Sequence, residues 1–460
     1  MQGRYILFFT AATFFLSSCK KFVQVAPPDY QLSSDLVFSS DAAATSAVVS
    51  IYSLMMTSSI GDMTPFSGYM TVLEGLYADE LTNADGSGYY SSFEGNTVAP
   101  TDNWVSNTWQ NIYSLLYQTN SCLEGLNKAT GLTPSLKRQL TGESEFIRAY
   151  CFFYLVNYFG DVPLVTTTDY TANATMPRTP RATVYQQMIR DLKDALLLLQ
   201  ENYPTSGRVR PNKWAATALL ARVYLYAGDW TNAQAMASEV IGSGTYLPLP
   251  APGAAFLIDN KEAIWQLMPG APNLDTYDGQ IFIPASPSVI PPYALTAGLL
   301  SAFEPADLRL NNWVASQTYG GTSYYYPFKY KVNGSAVPSE YSIQLRLSEQ
   351  YLIRAEALAH QNNIPDAVAD LNVIRSRAGL PALAGNLTQP ACLLAVEQER
   401  RIELFAEMGH RFLDLKRTGR ADAVLSSEKP DWHSKDTLLP IPTDQLKANP
   451  FLTQNPGYLN

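Results

Sequence analysis

Two similar helical segments constrain the fold of this 460-residue chain more than any other feature of its sequence. In the first, Ala221 is followed at a distance of twelve residues by Ala233; in the second, Ala355 is followed at the same distance by Ala367. A small residue in each of two helices, joined by a short turn, lets antiparallel helices pack closely. The spacing predicts tetratricopeptide-like helix pairs. Any helical hairpin also favours alanine at its crossing, so spacing alone leaves that alternative open.

Many other segments have apolar residues at the three-to-four spacing that is typical of amphipathic helices. With the two pairs included, these segments cover approximately residues 41–55, 104–126, 135–158, 183–199, 212–226, 231–241, 348–360, 366–377 and 391–408. Asp41 is expected to cap the first of them. A third, weaker copy of the helix pair is expected to begin near Ala149. The predicted fold class is therefore mainly α.

Two long segments depart from this pattern and are predicted to be loops with a few short strands. Residues 62–102 centre on the turn-forming sequence NADGSGYY at 83–90. Residues 244–340 contain twelve of the 30 prolines, and proline lacks the backbone donor that helices and central strands need. Loops of this length in a compact protein are usually functional. We expect a loop-rich, aromatic and proline-rich face supported by helices.

The N-terminal residues have the features of a lipoprotein signal. Arg4 provides a positive start, residues 5–16 are mostly apolar, and small residues directly precede Cys19. The apolar run is much shorter than the roughly 20 residues that a membrane-spanning helix needs. We expect removal of residues 1–18, a lipid on Cys19 that anchors the chain to a membrane, a tether over 19–40 and a single domain over 41–460.

Charge and motif content disfavour several classes of protein. Lys plus Arg total 32 against 41 for Asp plus Glu, and this net charge of -9 without a basic run disfavours nucleic-acid binding. Three cysteines follow Cys19 and are expected to be buried free thiols, while the 3 histidines are too scattered for a metal site. No cofactor is expected. Hydrolase, kinase and dehydrogenase motifs such as Gly-x-Ser-x-Gly and Gly-x-Gly-x-x-Gly do not occur in the sequence.

Two pairs of acidic residues could serve a glycosidase, which needs two carboxylates at a fixed distance. They are Asp79 with Glu80, and Asp275 with Asp278. The alternative interpretation is that these are solvated loop acids without a catalytic role.

A charged helix is predicted over residues 397–411, with acidic side chains at four-residue spacing on one face. These side chains belong to Glu399, Glu403 and Glu407. Like charges on one face need cations nearby, and the candidates are Arg400, Arg411 and Arg417. The pattern predicts a structural ion-pair network.

The aromatic content, with 28 Tyr, 19 Phe and 7 Trp, suggests a binding surface for sugars. An aromatic ring has a flat apolar face that matches the C–H face of a pyranose, and polar side chains beside it can hydrogen-bond the hydroxyls. The candidates are Asn83, Asp85, Tyr89 and Tyr90 in the first loop segment, and Tyr277, Asp278, Tyr293 and Trp313 in the second. Packing in the core or within the loops is the alternative for each of them.

Seven sequence motifs together resemble those of the SusD/RagB family, which comprises nutrient-binding surface lipoproteins of Bacteroidetes-type bacteria. They are SCKKF at 18–22, RAY at 148–150, YFGDVPL at 158–164, ALLARVYL at 218–225, ERRIELF at 399–405, GHRFLDLKR at 409–417 and QNPGY at 454–458. The resemblance implies tetratricopeptide-like helix pairs under a variable loop-rich face, and no catalysis. It also implies a lipid-anchored position at the outer-membrane surface and a SusC-type TonB-dependent transporter as partner. Ligand-contacting residues vary within the family, so no motif assigns them here.

The leading functional prediction is non-catalytic binding of oligosaccharides for delivery to such a transporter. A peptide-capturing member of the same family is one alternative. A surface glycan hydrolase and a helical adaptor that binds only protein or peptide are two more.

Overall fold

The computed structural model describes residues 34–57, 66–270 and 275–459. The predicted signal at 1–18, Cys19 and most of the predicted tether lie outside these residues. The helices, in chain order, are α1 (Ser34–Val37), α2 (Asp41–Met56), α3 (Gly68–Tyr77), α4 (Ser91–Glu94), α5 (Asn103–Lys128), α6 (Pro134–Phe159), α7 (Tyr170–Asn173), α8 (Arg181–Leu198), α9 (Lys213–Ala227), α10 (Trp230–Gly242), α11 (Tyr277–Phe282), α12 (Ala297–Ala302), α13 (Leu308–Trp313), α14 (Leu347–His360), α15 (Ile364–Arg377), α16 (Gln389–Glu403), α17 (His410–Arg417), α18 (Ala421–Glu428) and α19 (Thr443–Ala448). The strands are β1 (Leu81–Asn83), β2 (Ala263–Leu267), β3 (Tyr293–Leu295), β4 (Val314–Tyr319), β5 (Thr322–Pro327) and β6 (Ser342–Arg346).

The helices stack in sequence as a layered array, which confirms the predicted mainly α fold with tetratricopeptide-like pairs. Helix α6 packs against α8, α8 against α9, α9 against α10, α10 against α14 and α14 against α15. The four repeat alanines, Ala221, Ala233, Ala355 and Ala367, have no exposed surface. They therefore lie inside the array, where a larger side chain has no space.

The turn between α9 and α10 shows how the local sequence sets a helix pair. The Asn212 side chain accepts a hydrogen bond from the Ala215 amide at 3.0 Å and begins α9. Gly228 ends it in the left-handed region, at φ 75°, which glycine adopts without steric cost. The Asp229 side chain then accepts from the Asn232 amide and begins α10.

Helix α2 begins one residue earlier than the sequence indicated. The cap is Ser40, whose side chain accepts from the Ala43 amide at 3.3 Å. Asp41, predicted as the cap, is instead the first helical residue, and its carboxylate accepts from the Thr133 amide at 2.9 Å. The prediction for Asp41 was wrong because a distant backbone amide takes its carboxylate.

The predicted helix over 397–411 is broken, and α16 ends at Glu403. The Glu403 carbonyl accepts from Arg346 Nη2 at 2.7 Å and from Lys329 Nζ at 2.8 Å, so side chains from elsewhere replace the next helical amide as donors. The chain then passes through left-handed conformations at Ala406 (φ 48°) and Gly409 (φ 75°) before α17 begins.

A buried ion-pair network surrounds this break, and we call it the Glu403 network. Glu403 has no exposed surface and pairs with Arg346 at 2.5 Å, Arg309 at 3.1 Å and Arg377. Its further members are Asp307, Glu399, Glu262, Lys329 and Glu407. The network ties the proline-rich segment and β6 to the end of α16, which confirms the predicted structural ion pairs.

The predicted cations of this network were wrong. Arg400 and Arg417 instead pair with Asp414 at 2.7 and 2.8 Å, and Arg417 also pairs with Glu356 at 2.5 Å. Arg411 pairs with Asp79 at 2.8 Å. Arg411 and Arg417 lie beyond the break, in α17, and Arg400, although it lies within α16, pairs with Asp414 of α17 rather than with the acidic face.

Within the part of the chain that the structure describes, the strands form three two-stranded antiparallel sheets, in agreement with the few short strands expected. Sheet β2–β6 is buried along both strands, and β4–β5 is a hairpin at the surface. Sheet β1–β3 joins the two loop segments. Among the described residues, no helix is long and apolar enough to cross a membrane, and Cys122, Cys151 and Cys392 are buried free thiols.

The first loop segment contains a helix that the sequence analysis missed. Helix α3 is buried on nearly every side, including Leu73, Leu76 and Tyr77. It contains two glycines, Gly68 and Gly75, and glycine is a poor helix former. Residues 66–102 therefore consist of α3, β1 and α4 joined by short irregular stretches, rather than of one continuous loop.

Candidate functional site

Strands β1 and β3 bring the two loop segments to one place. Asn83 lies opposite Tyr293 in the register, and the Ala84 amide donates to the Pro292 carbonyl at 2.9 Å. At the other end, the Thr296 amide donates to the Glu80 carbonyl at 3.0 Å. Residues far apart in the sequence thus share one short platform.

Aromatic rings from both segments meet beside this platform. Tyr90 is stacked with Tyr293 at a centroid distance of 6.3 Å and an interplanar angle of 18°. The ring of Trp104, near the start of α5, meets Tyr90 edge-on, with ring centres 4.6 Å apart. Tyr90 and Tyr293 are buried, so they form the base of the surface.

Three further tyrosines extend the cluster toward solvent. Tyr69 of α3 lies 6.4 Å from Tyr90 and 6.5 Å from Tyr277, ring centre to ring centre. Tyr89 lies 6.2 Å from Tyr90 and is 63% exposed, while Tyr69 and Tyr277 are half-buried. We call these five tyrosines, Tyr69, Tyr89, Tyr90, Tyr277 and Tyr293, the tyrosine patch.

Polar side chains border the patch. The Asn83 side-chain amide donates to Glu94 at 2.7 Å, and Glu94 also accepts from Thr82 Oγ1 at 2.5 Å. Exposed Asp85 accepts from the Ser87 amide at 2.9 Å, which shapes the turn before Tyr89. Burial raises the pKa of Tyr293, and the Asp85 carboxylate raises it further. Asn83 and Asp85 therefore lie next to the rings.

Tyr69 and Trp104 were missed as site residues. Tyr69 belongs to the unrecognised helix α3, and Trp104 was predicted only as the first residue of the helix over 104–126. No local pattern indicates that either ring approaches Tyr90, because the contact depends on how α3 and α5 pack.

Trp313 is a core residue, and its assignment to a sugar-binding surface is wrong. It has no exposed surface, and its indole nitrogen donates to the Pro252 carbonyl at 2.8 Å. Lys329 Nζ lies 4.7 Å from the ring centre and the Arg377 guanidinium carbon 5.2 Å. The Glu403 network thus encloses Trp313 and leaves it no free face.

Asp278 is also removed from the surface by burial. It is 5% exposed and accepts from Thr71 Oγ1 at 2.9 Å. Burial raises its pKa to about 6. Asp275, 0% exposed, accepts from the Ser339 amide at 2.6 Å and the Glu340 amide at 3.1 Å. Asp275 thus holds loop backbone in place, and Asp278 binds helix α3.

Asp79 and Glu80 are buried as well, so the expectation of solvated loop acids is wrong for all four residues. Burial alone would raise the pKa of Asp79, but Arg411 and Arg401 hold it below its usual value. Burial raises the pKa of Glu80 to about 8, and the neighbouring Asp79 adds to this rise. These four residues provide no solvent-accessible carboxylate pair.

A separate cleft of about 950 Å³ lies between the helices, away from the predicted site residues. Its lining includes Trp230 stacked on His360, with ring centres 3.8 Å apart. Arg417 and Glu356, which also line it, already form an ion pair with each other at 2.5 Å. These two charges are thus paired within the fold, whereas Tyr89 presents an uncovered ring.

The stacked helix pairs and the aromatic surface on the long loops between them place this chain among α-helical binding scaffolds. The chain matches two family models of this class, described as "Starch-binding associating with outer membrane" over residues 33–225 and "SusD family" over 310–458. It belongs to the SusD/RagB family.

Relatives and solved structures agree with this assignment. SusD-like protein P25 of Formosa agariphila is 25% identical, with all of both chains covered. A SusD homolog from Bacteroides thetaiotaomicron has the same fold, with a TM-score of 0.80 at 20% identity over 92% of this chain and 98% of its own. A laminarin binding SusD-like protein has a TM-score of 0.73 at 24% identity over 91% and 99%.

Proposed function

We propose that this protein binds oligosaccharides at the tyrosine patch and does not cleave them. The observation that carries the proposal is the meeting of Tyr89, Tyr90, Tyr277 and Tyr293, from two distant segments, at one partly exposed surface. Rigid aromatic side chains supply contact area at low entropic cost. The uncovered Tyr89 ring can stack on a pyranose face.

The polar residues at the border suit the same ligand. Asp85 is an exposed acceptor, and Asn83 offers amide and carbonyl groups beside the rings. A few placed polar groups around an apolar platform are typical of small-molecule sites. The laminarin-binding relative supports a sugar as the ligand, and the burial of the four acidic residues supports binding without hydrolysis.

We also propose that a lipid on Cys19 anchors the protein to the outer membrane, where it passes its ligand to a SusC-type TonB-dependent transporter. The basis is the signal-like sequence before Cys19 and the family model that describes outer-membrane association. Replacing Cys19 with alanine should release the protein from the membrane fraction. Retention of Cys19→Ala in that fraction, in cells that lack the transporter, contradicts the anchor.

Calorimetry of the chain from residue 20 onward against a panel of oligosaccharides tests the binding proposal. The same samples are assayed for new reducing ends. Binding without new ends is expected. New reducing ends indicate a hydrolase, and binding of peptides but of no glycan assigns the protein to the peptide-capturing members of the family.

A further inference from the structure

The patch tyrosines lie in two stretches, residues 22–127 and 262–328, that are almost free of cations. No Lys, Arg or His occurs between Lys21 and Lys128, and Arg309 alone interrupts the stretch between Lys261 and Lys329. Arg309 is 1% exposed and is bound by Asp307 and Glu399 in the Glu403 network. The chain segments at the patch therefore carry no positive charge to the surface.

Two lysines outside these stretches, Lys429 and Lys331, donate to backbone carbonyls within them. Lys429 is 9% exposed and donates Nζ to the Glu94 carbonyl at 2.8 Å and to the Leu76 carbonyl. Lys331 donates Nζ to the carbonyls of Asn312 at 2.6 Å and Phe328 at 3.2 Å. Both ammonium groups are occupied by backbone oxygens and are not available to a ligand.

The charge that does reach the patch is negative. Asp85 is exposed at its edge, and Glu94 is part-buried behind Asn83. The charged neighbour that acts on Tyr293 is Asp85, and no described Lys or Arg is near enough to lower the pKa of Tyr90, Tyr277 or Tyr293. An anionic ligand at this surface would meet repulsion and no counter-charge.

We infer that the ligands of the tyrosine patch are uncharged glycans, and that the patch excludes uronate-containing and sulfated ones. This inference rests on the proposed function and adds the charge class of its ligand. Sugar hydroxyls need only neutral donors and acceptors, whereas carboxylate and sulfate groups are normally met by Arg or Lys. Like charges placed together suppress the wrong partner.

The test compares neutral glucan, galactan and xylan oligosaccharides with sulfated or carboxymethylated derivatives of the same backbones. Calorimetry is run at about 20 mM and about 500 mM NaCl, because salt screens surface charges over distances of several ångströms. We expect at least one neutral ligand to bind with an affinity that changes by less than about twofold between these salts. Its anionic derivative should bind about tenfold more weakly at low salt.

A matched pair of variants distinguishes charge repulsion from steric hindrance that the sulfate or carboxymethyl groups of the glycan would cause. Ser87 is exposed beside Asp85. Ser87→Lys should strengthen binding of the anionic derivative about fivefold at low salt and lose this gain at high salt. Ser87→Gln, similar in length but neutral, should leave it unchanged.

The outcomes distinguish this inference from the proposed function. An anionic glycan that binds as tightly as its neutral counterpart and weakens with salt overturns the inference, while glycan binding itself stands. An equal gain in both Ser87 variants also overturns it. If neither set of glycans binds, the inference and the proposed function fail together.

Discussion

The Glu403 network and the tyrosine patch consist of side chains of opposite character, charged in the network and neutral in the patch. In the network, charged side chains such as Glu403 and Arg346 are almost fully buried and are bound by several partners each. In the patch, neutral rings are layered from the buried Tyr293 to Tyr89, which is 63% exposed. The network fixes the ends of distant segments, because separating them would leave a buried charge unpaired at a high cost in free energy. The patch leaves a ring uncovered for a ligand.

The comparison also separates family membership from ligand choice. The motif ERRIELF at 399–405 contributes Glu399 and Glu403 to the network, so the residues that reveal the family maintain the fold. The patch draws on short segments without such a motif. Four changes test this division, from the largest expected effect to the smallest.

Replacing Glu403 with glutamine should lower the free energy of unfolding by about 3–5 kcal/mol, because it leaves buried guanidinium groups without their carboxylate. Urea denaturation measures this loss. Glycan affinity of the folded fraction should stay unchanged. A loss of affinity together with full stability would mean that the network belongs to the binding site.

The effect of Glu403→Gln on the free energy of unfolding should depend on pH. Burial opposes ionisation of Glu403, but Arg377, Arg346 and Arg309 hold its pKa well below its usual range. A lowered folded-state pKa adds stability above the unfolded-state pKa, and this stability is lost as pH falls. The stability difference between the parent protein and Glu403→Gln should therefore be constant near neutral pH and narrow below about pH 4. A constant difference down to acid pH contradicts the ion-pair account.

Tyr89→Ala should weaken glycan binding by about 2 kcal/mol or more, roughly thirtyfold. Its unfolding free energy should change by less than about 0.5 kcal/mol because the ring is exposed. Tyr170→Ala, at a position that is 82% exposed on α7, is the matched control and should bind like the parent. If Trp230→Ala weakens binding and Tyr89→Ala does not, the ligand occupies the cleft between the helices.

Ala221→Leu and Ala355→Leu should each destabilise the protein by about 1–3 kcal/mol through overpacking of the helix array. Exposed Ala235 of α10 provides the control, and Ala235→Leu should stay within about 0.5 kcal/mol of the parent. Thermal or urea unfolding measures all three. Equal stability of the three variants would show that the repeat alanines are not at close helix crossings.

The smallest effect is expected for an exposed ion pair. Glu201 and Lys213 lie 3.2 Å apart, with 61% and 33% of their side chains exposed. Glu201→Gln should change the free energy of unfolding by less than about 0.5 kcal/mol. If Glu201→Gln lowered the free energy of unfolding as much as Glu403→Gln, burial could not explain the strength of the Glu403 network.

The helical array was predicted well because the apolar spacing and the capping residues that indicate a helix lie within or next to that helix. The helix predicted over 104–126 is α5, Asn103–Lys128, and its cap Asp102 accepts from the Trp104 amide at 2.8 Å. Prediction from sequence failed for α3, which contains two glycines. It also failed at the end of α16, where Arg346 and Lys329 take the Glu403 carbonyl.

The patch was only partly predictable. Composition pointed to Tyr89, Tyr90, Tyr277 and Tyr293, but it could not separate them from Trp313, an aromatic residue in a similar proline-rich context. The difference is burial, which depends on tertiary packing. The pairing of β1 with β3 is equally invisible in sequence, since each strand has only three residues.

The β1–β3 platform has an implication for how this surface can evolve. Its strands are held by backbone amides and carbonyls, such as the bonds from Ala84 to Pro292 and from Thr296 to Glu80. Backbone bonds of this kind depend little on which side chains project from the strands. Point substitutions can therefore change the side chains that a ligand meets while the backbone geometry of the platform persists. Ligand specificity can diversify in this way without a change of fold.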